Sequence, residues 1–156
     1  MTRDPTSALA SRANPDRNAA RIIALGALLA LLAVAAGAFG AHALRARLEV
    51  TELTVYETAV RYQMYHAGAV IMTGLAAARW PQALWSAAAA SFVLGIVLFT
   101  GSLLLIVLSG MRSIGWVTPL GGLALIAGWT LMIAAALRVR ADSTGGATPG
   151  ATRSRQ

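Results

Sequence analysis

Arg61, Tyr62, Gln63, Tyr65 and His66 fall within one short stretch, Thr58 to Ala67, at the mouth of an apolar run that continues to Ala78. In a water-soluble helix such residues carry little information. In a helix entering lipid, each buried polar group needs a partner or costs several kcal/mol. The chain has other polar groups that could supply partners: His42, Thr100, Ser102 and Thr118. Four chemistries can be weighed. His42 and His66 with Gln63 and Glu57 would make at most a weak divalent-metal site, and no His-x-x-Glu or cysteine ligand pair supports it. Ser102 with His66 as base would need an orienting carboxylate, and no acid lies near Ser102 in sequence. A bis-histidine haem or a quinone site would need both imidazoles deep and facing each other, whereas this pair reads as near the surface. The fourth reading is an interhelical hydrogen-bond network of His42, Tyr62, Gln63, His66, Thr100, Ser102 and Thr118, each bond worth about 0.6 kcal/mol. The residues favour this one. No catalytic residue, metal site or cofactor is expected, and the chain leans away from an enzyme.

At about 100° per residue, Glu57, Arg61, Tyr65 and Gly68 share one helix face, and Tyr62, His66 and Thr73 share a second. Both faces can point inward in a four-helix bundle. His66 and Gln63 are therefore expected to look towards His42 or Ser102. Glu57 and Arg61 are expected to pair at the water interface, where a snorkelling arginine makes the pair worth little. Gly37, Gly40, Gly101, Gly121 and Gly122 read as close-packing and helix-start positions. A phosphate-cradling loop would need a preceding strand, and none is predicted. Trp129 reads as packing.

Composition says what must position these groups. Of 156 residues, 57% are hydrophobic and 12% charged, the latter about half the soluble norm of roughly 25%. Cysteine is absent, which excludes a disulfide framework and thiol chemistry. The net charge is +7 and every basic residue is arginine, placed in tails and loops rather than along a stripe. That pattern argues against nucleic acid as a partner and reads as membrane orientation. The fold expected is all-α, an integral membrane four-helix bundle: a disordered tail over 1–20, a transmembrane domain over 21–138 with spans at about 22–44, 55–78, 84–108 and 118–137, and a disordered tail over 139–156. Each span is long enough to cross about 30 Å of hydrocarbon.

Several local signals set the boundaries. Gly26, Ala30, Ala33, Gly37 and Ala41 give the first span a face of small residues. Ala41-His42-Ala43 has the form of a signal-peptidase site, but the apolar run ahead of it is longer than a signal peptide's, so it is expected to remain a span. Thr54 with Glu57 fits a capping box that opens the second span. Arg79-Trp80-Pro81 is a break carrying an interface tryptophan, with Trp85 as a second anchor. Thr118-Pro119 fits a helix start. Nine arginines fall on the side of the termini and four on the other, which places both ends in the cytoplasm. All the polar clusters then lie in the outer half of the bundle, and the inner halves are almost wholly apolar.

Five motifs in order, Gly37-Ala-Phe-Gly-Ala-His42-Ala-Leu44, Tyr62-Gln63-Met-Tyr-His66, Leu98-Phe-Thr-Gly-Ser102, Thr118-Pro-Leu-Gly-Gly122 and Gly128-Trp129, cover about residues 22–137. Together they resemble domain-of-unknown-function family 423, the YgdD- and YwdK-like small bacterial inner-membrane proteins. Thr100 stands where the family's serine is expected and keeps a hydroxyl. The resemblance implies four spans in the plasma membrane and brings no activity with it. The expected role is structural or accessory, with the lipid bilayer and a membrane-protein partner or a second copy as associates. The alternative is binding or translocation of a small solute, proton or lipid through the polar pocket, in an oligomer if one forms.

Overall fold

A computed structural model describes the backbone of residues 5–145 and the side chains of residues 17–141. Helix α1 is Pro5–Phe39 and ends in a π-helical turn, Gly40–Leu44; α2 is Val50–Arg79; α3 is Ala83–Ser109; a 3-10 turn, Arg112–Ile114, leads to α4, Val117–Gly145. All regular structure among the described residues is helical.

The expected tails differ. Residues 1–4 and 146–156 lie outside the described residues, but helix runs back to Pro5 and on to Gly145. Extending a helix already nucleated in the membrane is far easier than starting one, and alanine is the commonest residue of the N-terminal extension. Pro5 sits where its missing N–H is not needed. The α2 boundary also moves. Its cap is Glu49, in a reciprocal box with Glu52, one turn or more before Thr54. Glutamate is a poor N-cap by preference, so the pattern of Thr54 and Glu57 drew the boundary inward. Thr54 instead lies inside the helix and donates to the Val50 carbonyl at 2.8 Å.

Among the described residues, three helical segments are long and apolar enough to cross a membrane: Arg17–Leu44, Ala83–Ser109 and Arg112–Ala141. Helix α2 falls short of that measure because Gln63, His66, Arg61 and two tyrosines interrupt its apolar run. It lies along α1 and α3 from end to end, so it crosses wherever they do. α1 packs chiefly on α2, α4 chiefly on α3, and α2 and α3 on each other. The order is therefore open, with α2 and α3 in the middle, rather than a closed square. Leu44, Tyr56 and Val107 gather at one end. Ala77, Trp85 and Ala135 gather at the other. The first and last helices thus begin and finish at the same end.

The outer helices each present one seam of small residues. Ala19, Gly26, Ala33 and Gly40 are the buried positions of α1 before Leu44, at steps of seven. Gly121, Gly128 and Ala135 repeat the spacing in α4. Steps of seven hold one face towards a partner in left-handed packing. Ala30, Gly37 and Ala41 of the expected stripe fall off this seam, and Ala41 is exposed. The fit is close. A Cβ on Gly26 would stand 2.7 Å from Ile71 Cγ1 and 3.0 Å from the Ala67 carbonyl. One on Gly121 would collide with the backbone nitrogen and Cα of Phe99, and one on Gly128 would reach 2.5 Å from the Phe92 ring. Phe92 is fully buried at the centre, with Val70, Ala88, Ile96 and Leu125 around it.

Leu31, Val34, Leu94, Val97, Leu123, Ile126 and Ile133 are exposed, as a lipid-facing surface requires. Trp80 and Trp116 are exposed at opposite ends, at the positions of interfacial belts, and the Arg79 guanidinium lies 5.3 Å from the Trp80 ring centroid. Trp85 is not an anchor. It is 4% exposed, because the small Ala77 and Ala135 leave room for its indole.

Gly101 separates packing from helix propensity: a Cβ there meets nothing within 4 Å. Gly101→Ala is expected to stabilise by up to about 1 kcal/mol through propensity alone. Gly121→Ala, with backbone in its way, is expected to destabilise by about 1–3 kcal/mol. Thermal unfolding of the two variants in detergent reads the opposite signs.

Candidate functional site

The polar residues singled out in the sequence do not gather into one cluster. Gln63, Thr100 and the Ser102–Thr118 pair form separate ties, each closing one helix–helix contact. The Gln63 amide, 7% exposed, donates from α2 to the Leu29 carbonyl of α1 at 2.9 Å. Thr100, 3% exposed, donates from α3 to the Ala59 carbonyl of α2 at 3.2 Å. Ser102 and Thr118 join α3 to α4 with their hydroxyls 2.7 Å apart. Ser102 also donates to its own helix at the Phe99 carbonyl, 3.0 Å away, and has a single proton to give. Thr118 is therefore the donor of the pair. This hydroxyl, expected to cap α4, is turned across to the neighbouring helix instead.

His66 is buried and stays within its own helix. Its Nδ1 lies 2.7 Å from the Tyr62 carbonyl. A carbonyl can only accept, so Nδ1 carries the proton and, in the neutral ring, Nε2 bears the lone pair. The imidazole packs among aromatic rings, with centroids 5.8 Å from Phe92 and 6.1 Å from Trp129. Phe92 meets Trp129 edge-on at 5.1 Å. His66 thus helps hold α2, α3 and α4 together. Tyr62 is exposed and enters through its ring, stacked on Phe99 at 4.8 Å, and through its carbonyl.

Two expectations fail at the end where α1 meets α2. His42 lies on the π-helical turn and is exposed, without a tie to His66, Gln63 or Ser102 among the described residues. The wider winding of a π-turn rotates every following residue away from its α-helical position. Glu57 and Arg61 are both exposed and form no ion pair with each other among the described residues. Among the glycines, Gly40 is needed: a Cβ would stand 2.6 Å from the Tyr56 ring. Gly37 and Gly122 have only ordinary contacts at 3.6 and 3.9 Å, and Gly101 packs on nothing.

Other ties went unnoticed in the sequence. Tyr56 donates to the Ala36 carbonyl at 2.8 Å, Ser91 to the Ala124 carbonyl at 2.8 Å, and Gln82 to the Ala135 carbonyl at 3.1 Å. Asn18 reaches Ser86 at 2.9 Å. Gln82, Asn18 and Ser86 lie at the end opposite His42, so the polar groups are not confined to one half. A polar side chain near a helix end passes for an interface residue by sequence, which hid Gln82 and Asn18. The available signal for Ser91 was its isolation in an apolar run. Trp85 Nε1 is buried with no hydrogen-bond partner among the described residues. No three His, Asp or Glu side chains converge among the described residues, and Ser102 is tied to Thr118 rather than to His66.

Apolar helices, joined through buried polar ties and close small-residue seams, define a small multi-pass helical membrane protein. The chain belongs to the DUF423 family: residues 36–122 match the family model described as a protein of unknown function. A UPF0382 membrane protein of Staphylococcus haemolyticus is 40% identical over 112 residues, covering 71% of this chain and 90% of that protein. The UPF0382 inner membrane protein YgdD of Escherichia coli K12 is 37% identical over 101 residues, covering 64% and 76% respectively. No solved structure matches the chain. The family match takes in the ties of Tyr56, Thr100 and Ser102–Thr118 with both of their partners.

The proton on His66 can be read directly. Nitrogen NMR of histidine-labelled protein at a pH where the ring is neutral is expected to show the Nδ1–H tautomer. Gln63→Leu, which removes a tie but keeps the bulk, is expected to lower stability by about 0.6–1.7 kcal/mol in thermal unfolding.

Proposed function

We propose that the chain is a structural or accessory protein of the bacterial plasma membrane, its polar side chains holding helices in register for association with another membrane component. One observation carries the reading. Buried Gln63, His66, Thr73, Thr100 and Ser102 each meet a backbone carbonyl of their own or a neighbouring helix. Polar groups kept for a substrate would instead face a shared cavity with capacity left over. The plasma-membrane location draws on the family and on the printed name of the Escherichia coli relative.

The orientation proposed is cytoplasmic for both termini. It draws on the arginine balance and on the two termini lying at one end. Alkaline phosphatase fused at the carboxyl terminus is expected to be inactive, and a fluorescent protein there bright; the reverse pair would turn the topology over.

The role itself is tested by cross-linking in native membranes followed by affinity purification. A membrane protein or a second copy recovered in fixed ratio is the expected result. Recovery of the chain alone overturns the reading. So does a deletion strain with altered membrane potential that a folded His66→Ala protein fails to restore, since that outcome belongs to translocation.

A further inference from the structure

Glu57 and Arg61, without an ion pair among the described residues, line a cleft between α1 and α2 of about 370 Å³. Gly37, Gly40 and Ala41 leave its α1 wall nearly bare, and Val60 and Met64 add apolar lining from α2. Tyr56 closes the back, its hydroxyl tied to Ala36. Tyr65, 61% exposed, stands at the rim. Glu57 precedes Arg61 by four residues, the spacing and direction that best favour an ion pair on a helix. The two nevertheless form no ion pair with each other among the described residues, and both line the cleft. Charges at the edge of lipid call for partners.

We propose that this cleft binds one phospholipid with a phosphoethanolamine headgroup. The order of the charged groups along the helix selects this headgroup. α2 starts at Val50, beside exposed Arg45, Arg47 and Glu49, so its first residues mark the water side. Glu57 then lies about 10 Å in and Arg61 about 6 Å deeper, at 1.5 Å per residue. A phosphoethanolamine lipid has the same order of depth: ammonium outermost, phosphate below it, acyl chains beneath. Glu57 accepts from the ammonium, and the Arg61 guanidinium takes the phosphate in paired, charge-assisted hydrogen bonds. The step of about 6 Å matches the thickness of the headgroup zone on one side of the bilayer.

The track for the chain continues on the same face of α2. At Gly68 a Cβ would meet nothing within 4 Å, and Met72 and Leu75 are exposed beyond it. From Arg61 to Leu75 is about 21 Å along the helix, more than the roughly 15 Å half-thickness of the hydrocarbon core. An anionic glycerol headgroup satisfies Arg61 but sets its hydroxyls, with no cation, against Glu57.

The test uses the full chain in vesicles of equimolar phosphatidylethanolamine and phosphatidylglycerol, released into mild detergent, with retained lipid counted by native mass spectrometry. The wild type is expected to retain one phosphatidylethanolamine in about fivefold preference, the factor that one exposed ion pair supplies. Glu57→Gln is expected to remove the preference, and Arg61→Gln to reduce retention of both lipids. The double exchange Glu57→Arg with Arg61→Glu keeps the net charge and reverses the order of depth, so it too is expected to abolish the preference. Equal retention of the two lipids by the wild type overturns the proposal, as does a preference that survives the exchange.

Discussion

A helix carbonyl has two lone pairs, and its own helix uses only one. In hydrocarbon the second has no water to meet, and neither does any polar side chain that packs nearby. This protein brings the two needs together. Tyr56, Gln63, Gln82, Ser91 and Thr100 all donate to backbone carbonyls of another helix. Such a bond forms only where helices approach closely, which the small residues at steps of seven permit for α1 and α4, and fully buried Ala59 permits between α2 and α3. The glycine seams and the polar ties are therefore one arrangement. Take away the close approach and the donors lose their acceptors; take away the donors and dispersion alone must hold helices that lipid would solvate equally well.

The open order of helices explains which of them look like membrane spans. α1 and α4 each bury one narrow seam and give the rest to lipid, so their sequences are apolar nearly all round. α2 is covered by α1 on one side and α3 on another. That cover lets it carry Gln63, His66 and Thr73 inside, and it leaves α2 the least apolar of the four. α3, equally central, buries Thr100 and Ser102 yet stays as apolar as the outer helices, so a central place permits polarity without requiring it.

This is also where the sequence could and could not be read. The apolar lengths and loop breaks announced four helices, because the bilayer thickness imposes them. Gln63, Thr100, Ser102 and Thr118 were legible as ties, since a polar group inside an apolar run must find a partner. Their partners were not legible. An acceptor on the backbone leaves no mark on residue type, so Leu29 and Ala59 look like any other apolar positions. His42 was misread because a π-turn shifts rotational phase without a sequence signature. Gly101 was misread against Gly95 and Gly128 for a related reason. Which glycines meet a neighbour depends on where α2 and α4 lie around α3, and a Cβ at Gly95 or Gly128 would strike Leu125 or Phe92.

The carbonyl acceptors also bear on what the interior can conduct. A proton passes along a chain of groups only if each member can both accept one proton and release another. Hydroxyls and imidazoles do this, and amide carbonyls do not. Gln63 ends on Leu29, Thr100 on Ala59, Ser91 on Ala124, and His66 on Tyr62. The Ser102–Thr118 pair, between α3 and α4, is the one place among the described residues where hydroxyl meets hydroxyl, and its onward bond again ends on a carbonyl, at Phe99. Each tie is a terminus, and successive ties lie in different helix contacts. An interior wired in this way is suited to fixing register and poorly suited to relaying charge. Glu57 and Arg61 lie outside this wiring, exposed at the cleft, where the membrane itself supplies the partner.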